Sequence, residues 1–114
     1  MSTPTNSSLL KGSLSIMILR LLEDREKMYG YEITQKVKEL TAGEMTITEG
    51  ALYPALHKLE AEGLLSTEMQ LVDGRARKYY SLTKTGHTEA VGRIAELTNF
   101  LENLNLVLKL KPNL

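Results

Sequence analysis

Three cations fall within four positions directly after an Asp73-Gly74 dipeptide: Arg75, Arg77 and Lys78. Guanidinium and ammonium groups this close together beside a tight turn suit phosphate oxygens, which they bind by charge and by charge-assisted hydrogen bonds. Charges on an edge strand also serve simply to discourage aggregation, but three bases clustered at one turn favour phosphate contact. Other chemistry is sparsely represented. His57 and His87 are the two histidines and lie far apart along the chain, so no metal site follows from them. The chain has no cysteine, which removes thiol nucleophiles, disulfides and thiolate ligands. Glu60 and Glu62 read as solvated acids at a helix end. No histidine is spaced toward a serine and a carboxylate, and no glycine loop is built to cradle a phosphate. Neither an enzyme nor a cofactor is therefore expected.

The charge balance qualifies the phosphate reading. Lysines and arginines number 14 against 14 acids, for a net charge of zero, which opposes simple adhesion to nucleic acid. Residues 31–62 carry six acids (Glu32, Glu39, Glu44, Glu49, Glu60, Glu62) against three bases (Lys36, Lys38, Lys58). Residues 63–88 reverse the ratio, with Arg75, Arg77, Lys78 and Lys84 against Glu68 and Asp73. The positive charge is local, and it lies on the turn.

The elements that must carry these residues follow from periodicity. Residues 1–8 have the composition of a disordered arm. Leu10, Leu14, Met17, Ile18, Leu21 and Leu22 recur at threes and fours, the stripe of a first amphipathic helix ending near the charged residues 23–27. Ile33, Val37 and Leu40 mark a short second helix, broken at Thr41-Ala42-Gly43. A third begins with Thr48 as N-cap, buries Leu52, Leu56 and Leu59, and stops at Gly63. Pro54 either kinks this helix or marks its true start.

Residues 65–71 and 77–82 then alternate about the Asp-Gly turn as a β-hairpin. Of Tyr79 and Tyr80, on opposite faces, one must pack inward; register decides which. From residue 83 a helical pattern runs to about 110, with Ile94, Leu97, Leu101, Leu104 and Leu108 on one seam that this small domain cannot cover and that needs a partner. Phe100, beside the seam, is expected in core packing.

Three helices followed by a hairpin define a mainly α fold with a small β-hairpin, a winged helix-turn-helix plus a long C-terminal dimerisation helix. The expected division is an arm over 1–8, a DNA-binding domain over 9–82, and a dimerisation helix with tail over 83–114. In such a fold the third helix enters the major groove and the hairpin lies on the neighbouring backbone or minor groove. The face opposite Leu52, Leu56 and Leu59 carries Gly50, Tyr53, Pro54, His57 and Lys58, with Thr48 at the helix end that attracts phosphate. Tyr53 has an alternative role, packing against the second helix. The wing contributes Gly74, Arg75, Arg77 and Lys78.

Four strings in this order resemble the PadR-like transcriptional regulators: Leu10-Lys11-Gly12-Ser13-Leu14, Tyr29-Gly30-Tyr31-Glu32-Ile33, Gly50-Ala51-Leu52-Tyr53-Pro54-Ala55-Leu56 with Leu59-Glu60, and Arg77-Lys78-Tyr79-Tyr80-Ser81-Leu82-Thr83. The resemblance implies a homodimeric repressor of the short subfamily, with one C-terminal dimerisation helix. It further implies release by a small aromatic or cationic effector. Glu49 departs from the family pattern, an acid where a phosphate is to approach, and the absence of tryptophan departs from an aromatic drug pocket.

The expected partners are a palindromic operator in double-stranded DNA and a second copy of the chain. With no signal-peptide pattern at the start and no apolar run near 18 residues, a cytoplasmic protein without membrane contact is expected. The alternative is a winged-helix protein-interaction module without DNA function, suggested by the neutral total charge.

Overall fold

The computed structural model describes residues 7–109. Helix α1 spans Ser7–Asp24, strand β1 Met28–Tyr29, α2 Gly30–Leu40, α3 Glu49–Ala61, β2 Leu65–Val72, β3 Arg75–Leu82 and α4 Lys84–Leu108. Ser7 and Ser8, expected in the arm, are helical, and residues 1–6 of that arm lie outside the described residues. So does the expected end of the last helix near residue 110. Among the described residues no helix is long and apolar enough to cross a membrane.

Helix α1 is the centre of the core. Leu14, Ile18, Leu19 and Leu22 are all essentially inaccessible, and Met17 and Leu21 pack against them. The buried surface is wider than one stripe because α3, β3 and α4 all lie against this helix. Ile33 and Val37 of α2 and Leu52, Leu56 and Leu59 of α3 fill the same core.

The third helix starts where its cap chemistry says. The Thr48 side chain accepts a hydrogen bond from the Ala51 N–H at 3.2 Å, and Gly63 terminates the helix with φ +79°. Pro54 stands inside the helix rather than at its start. Its missing N–H removes a single bond near the first turn, and its ring lies on the exposed face.

The hairpin turns through two residues in the left-handed region, Asp73 at φ 52° and Gly74 at φ 78°, the primed turn geometry that matches strand twist. Its register, from Leu65 opposite Leu82 to Val72 opposite Arg75, decides between the two tyrosines. Tyr80 is buried at 1% exposure and Tyr79 half-buried on the other face. Burial pushes the Tyr80 phenol above its ordinary pKa, against a smaller opposing pull from Lys78. Strand β1, two residues long and unforeseen from sequence, pairs Met28 with Tyr80 and Tyr29 with Tyr79, giving the sheet order β1-β3-β2.

The start of α4 is fastened to the end of α3. Thr83 donates its hydroxyl to the Gly63 carbonyl at 2.7 Å and accepts the Gly86 N–H at 2.9 Å, while its own N–H reaches the Leu64 carbonyl at 3.0 Å. Gly86 packs so tightly that a Cβ there would run into the Leu64 carbonyl oxygen. Beyond Ala90 the helix leaves the core: Ile94 and Leu97 are half-buried and everything from Thr98 to Lys109 is exposed. Phe100 corrects the expectation of core packing. It is 59% exposed, because α4 has already passed the edge of the domain at that point.

Candidate nucleic-acid interface

Three leucines hold α3 against the core and thereby turn its opposite face outward. Gly50, Tyr53, Pro54, His57 and Lys58 are all exposed there, with Thr48 exposed at the N-terminus. The anticipated face is therefore assembled. Tyr53 packs against the second helix, as its alternative role had it, without leaving the exposed face. It remains 38% exposed, yet its hydroxyl lies against Gly30 at the start of α2, where a Cβ would approach the oxygen to 2.7 Å. The Tyr53 and His57 rings are 6.4 Å apart and tilted. Gly50 borders open space, the nearest atom to a built Cβ being the Thr48 Oγ1 at 4.0 Å, so packing does not demand glycine there.

The wing cations, which form one cluster in sequence, are separated by the strand. Arg75 and Arg77 share a face of β3 with Tyr79, whereas Lys78 points to the side of Tyr80 and α3. The Lys78 Nζ is 3.9 Å from a Glu60 carboxylate oxygen and 5.4 Å from the Tyr80 ring centre. The Arg77 guanidinium lies 4.0 Å from the centre of the Tyr29 ring. The polar end of Tyr79 is the main influence holding the Arg77 pKa above the ordinary arginine value, with desolvation opposing it.

Tyr29 and Tyr79 meet edge to face at 5.5 Å. Lys27, just outside β1, completes this surface, 3.3 Å from Glu68 and 5.2 Å from the Tyr79 ring centre. Among the described residues, Arg75 is the wing cation with no ion pair or ring contact. The Tyr29 and Lys27 partners were missed from sequence, where only the Tyr29-Gly30 string hinted at them.

Among the described residues no group of three or more His, Cys, Asp or Glu side chains could hold a metal ion. What the molecule offers instead is a helix face, a helix N-terminus and an extended cationic hairpin. Together with a long terminal helix, these define a winged-helix regulator.

Comparison with known proteins agrees. The model of the transcriptional regulator PadR-like family matches residues 18–91. The transcriptional regulator Rv3488 of Mycobacterium tuberculosis is 41% identical over 76 residues, covering 67% of each chain. A transcriptional regulator from Clostridium thermocellum superposes with a TM-score of 0.81 at 27% identity, over 90% of this chain and all of the other. A PadR-family regulator from Eggerthella lenta gives 0.76 at 27% identity, over 91% and 88%. The chain belongs to the PadR-like family. It is a DNA-binding transcriptional regulator and not an enzyme, and the interaction-module alternative is set aside.

Proposed function

We propose that the chain is a homodimeric repressor that reads a palindromic operator with α3 and grips the flanking backbone with its wing, acting in the cytoplasm of a cell without a nucleus. The observation that carries this reading is the pairing of an exposed polar α3 face with a hairpin whose tip presents Gly74 and a free Arg75. The α3 N-terminus at Thr48 supplies backbone N–H groups and a positive dipole end for a phosphate. Gly50, unconstrained by packing, lets a sugar-phosphate backbone come close. Tyr53, His57 and Lys58 are placed to reach base edges in the major groove. Lys78, half-exposed beside Glu60, can exchange that partner for a phosphate.

Dimerisation is supported by the apolar groups that one chain leaves in water. Leu101, Leu104 and Leu108 of the expected seam are 53%, 37% and 73% exposed, and Leu106 and Val107 are also exposed. An apolar cleft of about 260 Å³ lies between α1, the end of α2 and α4, lined by Met17, Leu21, Val37, Leu40, Ile94 and Leu97 among others. Two chains related by a two-fold axis would each lay the distal part of α4 over the partner's cleft, a self-complementary interface. The same axis would set the two α3 helices roughly 34 Å apart, one turn of duplex.

An effector finds support at Phe100, where an exposed ring borders a second cleft containing Glu89 and Glu96. Arg93 lines the same cleft and pairs with Glu89 at 3.2 Å, so Phe100 and the Glu96 carboxylate are the groups that suit a flat cation. Full-length protein titrated into a labelled mixed-sequence duplex should bind with affinity that falls steeply as salt rises. A complete lack of salt-dependent binding in low salt would overturn the reading. A planar cation that raises the thermal midpoint of the natural chain but not of Phe100→Ala would support the effector site; equal shifts would remove it.

A further inference from the structure

The hairpin is a three-stranded structure only at its base. Strand β1 ends at Tyr29, opposite Tyr79, because the chain there turns into α2, and Tyr29 is its N-cap residue. From residue 78 toward the tip, β2 and β3 continue as a two-stranded ribbon, the kind of element that twists and pivots most readily. Arg77 stands at that transition. Its planar guanidinium covers the Tyr29 ring at 4.0 Å on the face it shares with Tyr79, extending the support of the third strand two register pairs toward the tip. Tyr29 is itself immobilised. Its ring meets Tyr79 edge to face, and its backbone N–H donates to the Glu32 carboxylate at 3.1 Å, within the first turn of α2.

We propose that Arg77 is a positioning residue: by stacking on Tyr29 it fixes the angle of the wing against α2, and Arg75 alone on that face of the wing meets the DNA phosphate. This rests on the DNA-binding reading above and divides the labour within it. An arginine engaged on a ring in this way keeps its charge but has its flat face covered, whereas Arg75, one pair from the turn, has no competing partner. The clamp also joins the wing to the N-terminus of α2, where Gly30 receives the Tyr53 hydroxyl of the reading helix. Wing and reading helix are thus referred to the same short segment, residues 29–30.

The test uses the full chain and a duplex enriched from a random pool by the natural protein, with binding followed by fluorescence anisotropy across a salt series. Arg75→Ala should lower the slope of log affinity against log salt by about 0.9, the loss of one phosphate contact. Tyr29→Leu, which removes no charge, should weaken binding by up to about tenfold with the slope unchanged, the scale of a lost cation–π contact. Tyr29→Phe, which keeps the ring, should restore it. Arg77→Ala should weaken binding to the same degree as Tyr29→Leu, and the double variant should be no worse than either.

Amide hydrogen exchange over residues 70–78 in free protein should speed up in Tyr29→Leu and Arg77→Ala and stay as in the natural chain in Arg75→Ala. The inference is overturned if Arg77→Ala lowers the salt slope as Arg75→Ala does while Tyr29→Leu binds normally. It is overturned equally if exchange in the wing ignores both clamp variants. Failure of the natural protein to enrich any duplex would instead bring down the DNA-binding reading.

Discussion

The two ends of α4 behave as parts of different objects. At its start, Gly86 and Ala90 are buried and Thr83 is bonded to the end of α3; from Thr98 to Lys109 every residue is exposed, five large aliphatic side chains included. The amino-acid types differ: the buried positions near the start are the small Gly86 and Ala90, which let the helix approach the core closely, whereas the distal positions are leucines and a valine. What also differs is whether the chain can fold back on itself to cover them. The head, from α1 through the first turns of α4, holds the whole buried core and keeps one apolar cleft open between α1, α2 and α4, whereas the distal helix leaves its large apolar side chains exposed.

The contrast yields a graded set of expectations. The largest effect belongs to the head: Leu56→Ala, at a fully buried site, should cost about 2–5 kcal/mol in denaturant unfolding. Leu106→Ala, 71% exposed, should change the stability of highly diluted protein by less than about 0.5 kcal/mol. Comparable losses at the two sites would abolish the distinction. Next, Leu104→Glu should leave the helix content of the head intact while sedimentation at micromolar concentration finds a monomer, with operator binding lost at that concentration. A dimer that survives this charge would mean the seam lies elsewhere.

Smaller still is the joint between the two parts. Thr83→Ala removes the α4 cap and the bond to the Gly63 carbonyl, and should lower stability by about 1 kcal/mol, measured by thermal unfolding. The smallest effect is a matter of pH. The Tyr80 phenol has its folded pKa raised above the ordinary 10.0, so its contribution is fully present below that value and is lost as pH rises through the folded pKa. The thermal midpoint should fall in strongly alkaline solution, and less so in Tyr80→Phe; identical alkaline profiles for the two chains would argue against that origin.

Much of this architecture is legible in the chain. Thr48 and Gly63 bracket α3 because capping chemistry is local, and Asp73-Gly74 marks the hairpin because few dipeptides adopt two left-handed residues in succession. The exposed face of α3 follows from the spacing of three leucines. The rest depended on contacts distant in sequence. Two-residue β1 is too short to show alternation, and without it the partner of Arg77 cannot be read. Leu19, Ile47 and Leu64 lie in the core although none falls on a clear stripe, since their burial comes from neighbours on several sides. Phe100 misled because a lone aromatic near a leucine seam reads as core when the edge of the domain is unknown.

The fastening at Thr83 and Gly86 has a consequence in units of base pairs. A 25-residue helix is a lever of about 37 Å, so a rotation of about 5° at that joint moves its far end by roughly 3 Å, nearly the 3.4 Å rise of one base pair. If the far ends are tied together in a dimer, that displacement is passed to the spacing between the reading helices. In such a dimer the close approach of Gly86 to the Leu64 carbonyl and one threonine hydroxyl would set that spacing, and a substitution that turned the joint by this angle would change it by about the rise of one base pair.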